Sequence, residues 1–232
     1  MPRQKYKQKQ KQVAQQRQQA TPKPAKRKPS KYSKSLLIGI AVIAIIVVAI
    51  AGLALSGQFG GTSNNPTTIQ PTKVLLQTTA GNITIDLRTD KPITSTNFVN
   101  LVNASKYDGS TFHRILKTFM IQGGKVNSTI PAIKDEIGSN NHNINYTIAM
   151  AKTSAPNSAT SEFFINTVDN SGIIYPDGSK FDEIYTVFGT IIAGRDVVDA
   201  IANTPVTANP EMNNENSLPV TPVIILHASI IQ

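Results

Sequence analysis

The sequence predicts a mainly β domain, an eight-stranded antiparallel sheet closed into a barrel with two helices, preceded by one transmembrane helix. Three observations predict it. A twenty-residue apolar run lies near the N-terminus, the positive charge is confined to the residues before that run, and short alternating segments recur after it.

The charge distribution divides the chain. Residues 1–35 hold 12 of the 23 Lys and Arg and no Asp or Glu, and residues 73–232 hold 11 basic against all 14 acidic residues. The net charge of +9 therefore belongs to the tail, and the domain beyond residue 72 is slightly acidic. A nucleic-acid-binding surface on the domain is not expected from such a balance. The chain has no cysteine, which excludes disulfides, thiol catalysis and thiolate metal sites.

Leu36 to Leu55 reads LLIGIAVIAIIVVAIAGLAL. As a helix it covers about 30 Å, the thickness of a bilayer's hydrocarbon core. The run exceeds the usual apolar region of a signal peptide, which favours a retained anchor, although Ala54-Leu55-Ser56 is a passable cleavage site. Cations before the run and none just after it place the N-terminus in the cytoplasm and the C-terminus across the membrane. The tail (1–35) has almost nothing apolar to bury and is expected to be disordered. Residues 56–72, SGQFGGTSNNPTTIQPT, read as a flexible tether with a reach of roughly 20–25 Å.

Residues 73–232 suffice for one well-buried core. They open with KVLLQT, a turn at Thr79-Ala80-Gly81-Asn82, and ITIDL, in which Ile83, Ile85 and Leu87 alternate with polar residues: a β-hairpin. Thr94 or Ser95 is placed to cap a helix whose buried side carries Phe98, Leu101 and Val102. Strand-like runs follow at Thr111–Ile115, Thr118–Gln122, Tyr146–Ala151, Glu162–Val168, Thr186–Ile192 and Val223–Ile231. A second helix fits Gly194–Ala202, with Val197, Val198 and Ile201 inward. Eight strands of this kind suit a closed barrel.

Three blocks carry the chemistry. Tyr107–Gly124 reads YDGSTFHRILKTFMIQGG, Ile148–Val168 reads IAMAKTSAPNSATSEFFINTV, and Thr186–Gly189 reads TVFG before GRDVVDAI. In this order they resemble the cyclophilins, and the second block looks like the family's bacterial branch. The resemblance spans residues 73–232. It implies a cofactor-free peptidyl-prolyl cis/trans isomerase; the orientation of the anchor makes the expected substrates X-Pro bonds of exported or surface polypeptides, and a monomer is expected.

Isomerisation makes and breaks no bond. The barrier near 18–20 kcal/mol is loss of amide resonance, so a catalyst needs a proline-sized apolar pocket, polar groups for the acyl carbonyl, and a donor for the lone pair that the twisted nitrogen gains. Arginine suits that donor role, being always charged and presenting N–H groups in a rigid fork. By the resemblance the donor is Arg114, and Gln122 orients both it and the substrate carbonyl. Phe119, Met120 and Phe164 form the proline pocket, and Ala151 offers backbone groups to the peptide. Tyr185 closes the pocket rim.

His113 is read as a packed, hydrogen-bonded neighbour, since no proton is transferred. His113, His142 and His227 lack metal-ligand spacing, and no metal is expected. Glu162 stands where the family commonly has Gln, which puts a carboxylate near Arg114 to orient or to weaken it. The chain has no Trp where animal members often carry one; Phe181 is the candidate replacement, and any cyclosporin binding is expected to be weak. The rival reading is a cyclophilin-like module that holds proline peptides as a chaperone with little turnover.

Overall fold

The computed structural model describes residues 70–231. The basic tail, the apolar run Leu36–Leu55 and the tether up to residue 69 lie outside them. Among the described residues no helix is long and apolar enough to cross a membrane.

Strands β1 (Lys73–Thr78) and β2 (Gly81–Leu87) form the expected hairpin, with Val74 opposite Ile85 and Leu76 opposite Ile83, all four buried. Helix α1 (Pro92–Asn103) turns Phe98, Leu101 and Val102 into the core as expected, but it begins before Thr94 and Ser95. Its cap comes from far along the chain. The Glu136 carboxylate accepts from Ile93 N (3.1 Å), Thr94 N (2.8 Å) and Thr94 Oγ1 (2.7 Å). An anion at the positive end of the helix satisfies N–H groups that have no partner within it.

The chain continues through β3 (Phe112–Leu116), β4 (Met120–Gly123), β5 (Thr147–Met150), β6 (Phe163–Asn166) and β7 (Val187–Ala193). Helix α2 (Arg195–Ala202) follows, with Val198 and Ile201 buried and Val197 packed at the margin. Then come β8 (Val206–Asn209), β9 (Glu215–Pro219) and β10 (Ile225–Ile231). The β8–β9 hairpin was not expected.

Eight strands form one antiparallel sheet in the order β10-β1-β2-β7-β5-β6-β4-β3. The expected closed barrel is corrected to a half-barrel. Its outer strands do not share a ladder: near them the chain pairs at the bridge Thr111↔Ile224, with Phe112 N donating to Val223 O (2.9 Å) and Ile225 N to Ser110 O (2.8 Å). Beyond that point β3 packs against β9, and Asn209 Nδ2 of β8 donates to His113 O at 3.1 Å. The hairpin forms a separate two-stranded sheet beside β3.

Residues directly opposite in paired strands share a face of the sheet. One row runs Ile115–Ile121–Ile165–Ile148–Gly189, with all four isoleucines in the main core. Gly189 lets the strands approach. A Cβ there would lie 2.9 Å from Asp86 O and 3.0 Å from methyl carbons of Ile148 and Ile85. The next row, Arg114–Gln122–Phe164–Ala149–Val187, faces the other way.

Candidate active site

That second row is built by an irregularity. Phe112 pairs with Gly123 and Arg114 with Gln122, so two steps along β3 match one step along β4. His113 is the extra residue of a β-bulge. In a regular strand Phe112 and Arg114 would share a face; the bulge reverses the alternation, leaving Phe112 in the core and sending Arg114 to the opposite side. FHR thus works as a local unit: an anchor, a bulge and a re-aimed cation.

Arg114 is 3% exposed. Its Nε donates to Glu215 Oε2 (2.7 Å) and its Nη2 to Glu215 Oε1 (2.9 Å), a bidentate pair with β9. Its Nη1 faces Gln122 Oε1 at 3.5 Å, the long limit for a hydrogen bond. Gln122 is held from its other end, where Nε2 donates to Glu162 Oε2 at 2.8 Å. Glu162 therefore stands beside the site but binds Gln122 and His113, whose Nε2 lies 3.3 Å from the same oxygen. The carboxylate that grips Arg114 is Glu215, which sequence reasoning missed. Burial acts to raise the Glu162 pKa, but the bond to His113, its charge and the bond from Gln122 outweigh it and hold the carboxyl below the ordinary glutamate value.

His113 is packed at the edge of the site as expected. It is bonded on one side only, since its buried Nδ1 has no partner among the described residues.

Beside Arg114 and Gln122 lies a second apolar cluster, separate from the main core. Met120, Phe164, Phe181 and Tyr185 belong to it, none more than 6% exposed, with half-buried Phe119, Ala151 and Tyr175 packed against them. Phe164 meets Phe181 edge-on at 5.8 Å and Tyr185 at 5.4 Å, and Phe119 meets Phe181 at 5.5 Å. The three residues expected to form the proline pocket are thus together.

Phe181 and Tyr185 hold different places from those expected. Phe181 opens a short 3-10 turn (Phe181–Glu183) and is wholly buried as the centre of the cluster, with Tyr185 at 4.6 Å. Tyr185 is a buried wall rather than a rim, and burial pushes its phenol far above the usual range. The outer position is held by Tyr175, from the 170–180 loop, stacked on Phe181 at 6.4 Å. Ala151 follows β5, and its N–H donates to Glu162 O (2.9 Å).

The arrangement supplies what amide rotation requires: a fixed guanidinium, an amide beside it, and an apolar wall adjoining both. Comparison with known proteins agrees. Residues 73–230 match the family model described as cyclophilin type peptidyl-prolyl cis-trans isomerase/CLD. A peptidyl-prolyl cis-trans isomerase of Acinetobacter baylyi is 42% identical over 166 residues, covering 68% of this chain and 85% of that protein. One from Streptomyces antibioticus is 39% identical over 165 residues, covering 68% and 98%. In three dimensions the chain is similar to a cyclophilin-type isomerase of Cryptosporidium parvum, with a TM-score of 0.58 over 70% of this chain and 99% of that one, at 23% identity. The chain belongs to the cyclophilin-type peptidyl-prolyl cis-trans isomerases.

Proposed function

We propose that this peptidyl-prolyl cis-trans isomerase, of the family's bacterial branch, acts on X-Pro bonds of exported or surface polypeptides from a membrane anchor. The observation that carries the catalytic reading is the single row Arg114–Gln122–Phe164 beside Met120 and Phe119. A proline ring lies against Phe119, Met120 and Phe164, and the carbonyl of the preceding residue meets Gln122. As the bond passes through the perpendicular, the prolyl nitrogen regains its lone pair and accepts from Arg114 Nη1. The donor is placed before the reaction and meets charge density that exists only in the transition state, so the contact lowers the barrier rather than merely tightening binding. His113 takes no part as acid or base, because no proton moves.

The anchor is Leu36–Leu55, with the cation-rich tail in the cytoplasm and the isomerase domain outside; the one-sided charge of residues 1–35 supports this topology. The domain acts as a monomer on proline-containing chains, with weak affinity for cyclosporin and no nucleic-acid partner. Two experiments test the reading. NMR exchange spectroscopy of a proline peptide measures turnover. Protease added to intact spheroplasts should digest residues 73–232, and protection of that region would contradict the orientation.

A further inference from the structure

We infer that Glu215 is a positioning residue for the isomerisation, setting the direction of the Arg114 guanidinium from the β8–β9 hairpin. The inference rests on Arg114 being the donor proposed above. Free arginine side chains sample many rotamers, and a donor that must meet a transient lone pair loses rate if it wanders. A guanidinium is planar, so fixing two of its nitrogens fixes the third.

Glu215 takes Nε and Nη2 in parallel bonds of 2.7 and 2.9 Å. Nη1 is thereby turned toward Gln122, where its one hydrogen bond among the described residues is the long one at 3.5 Å. The nitrogen left weakly engaged is the one beside Gln122, the amide proposed to meet the substrate carbonyl. Glu215 is itself held in place. Asn213 and Asn214, both with positive φ (51° and 60°), bring the chain back from a short 3-10 turn (Pro210–Met212), and Asn209 on β8 bonds the His113 carbonyl. The hairpin is therefore tied to both residues of the bulge that aims Arg114.

A positioning role differs from that of a plain counter-charge, which would affect folding alone, and from a mask, which would hold the cation away from substrate. The full chain, purified in detergent, is compared as wild type, Glu215→Ala, Glu215→Gln and Arg114→Ala, with kcat and KM measured on a proline peptide. Selective 15N labelling of arginine reports the Arg114 Nε–H resonance.

Arg114→Ala and Glu215→Ala are both expected to lower kcat/KM about tenfold or more, with the Glu215→Ala loss in kcat and KM nearly unchanged. In Glu215→Ala the Arg114 Nε–H signal should also shift and exchange faster. Glu215→Gln keeps one acceptor oxygen and nearly the same volume, so it should retain an intermediate kcat; it carries the test if the alanine variant does not fold. Wild-type or raised kcat in folded Glu215 variants, with Arg114→Ala impaired, overturns the inference and leaves the Arg114 reading standing. Wild-type kcat in Arg114→Ala removes the reading on which the inference rests.

Discussion

Arg114 on β3 and Glu215 on β9 are joined by two parallel hydrogen bonds across 101 residues of chain, with the cation almost wholly buried. Removing one partner of such a pair strands the other charge, whereas replacing both by apolar groups is often tolerated. Glu215→Ala should destabilise the domain by about 3 kcal/mol in urea unfolding. The double variant Arg114→Met/Glu215→Leu should be more stable than Glu215→Ala alone. A double variant less stable than that single one would mean that the pair is not the stabilising unit.

Glu162 gives a pH dependence with a definite sign. Its carboxyl is held below the ordinary glutamate value when folded, so the unfolded chain binds the proton first as pH falls. The stabilisation is present above the ordinary glutamate value of about 4.5 and is lost as pH drops through the lower folded value. Glu162→Gln should therefore flatten the acid limb of a plot of unfolding midpoint against pH. An unchanged acid limb would contradict the assignment.

Much of this was legible in the sequence, and the failures have physical causes. Alternation in ITIDL and the inward faces of both helices were read correctly, because burial on one face leaves a periodic trace. Phe119, Met120 and Phe164 were placed together by their motifs. The bulge at His113 leaves no compositional trace, since one extra residue changes no pattern that a short strand displays. The cap of α1 was misassigned because Glu136 reaches Thr94 only in the folded chain. The β8–β9 hairpin was missed because VTAN and ENSLP are too polar to read as strands. A signal was available in Asn213-Asn214, since adjacent Asn residues favour the left-handed backbone of tight turns. Without the hairpin, Glu215 could not be connected to Arg114, and Glu162 stood as the nearest carboxylate in view.

Gly189 tests the core row. Because a Cβ there would press on Asp86 O, Ile148 and Ile85, Gly189→Ala should cost about 2 kcal/mol through overpacking. An unaltered urea midpoint would show that the strands are not as close as described.

Tyr175 tests the loop over the apolar cluster. Its buried hydroxyl faces that of Tyr185, and its ring stacks on Phe181. Tyr175→Phe keeps the ring and removes the contact with the Tyr185 hydroxyl, so stability should fall by about 1 kcal/mol in urea unfolding. An unchanged or raised urea midpoint would show that the two hydroxyls are not paired.

The most direct test of the catalytic account is NMR exchange spectroscopy of a proline peptide with wild type and Arg114→Ala. The account predicts at least a tenfold loss of kcat/KM in the variant, about 1.4 kcal/mol of lost transition-state stabilisation. Equal rates in the two proteins would contradict it, and would make the domain a holder of proline peptides rather than a catalyst working through Arg114.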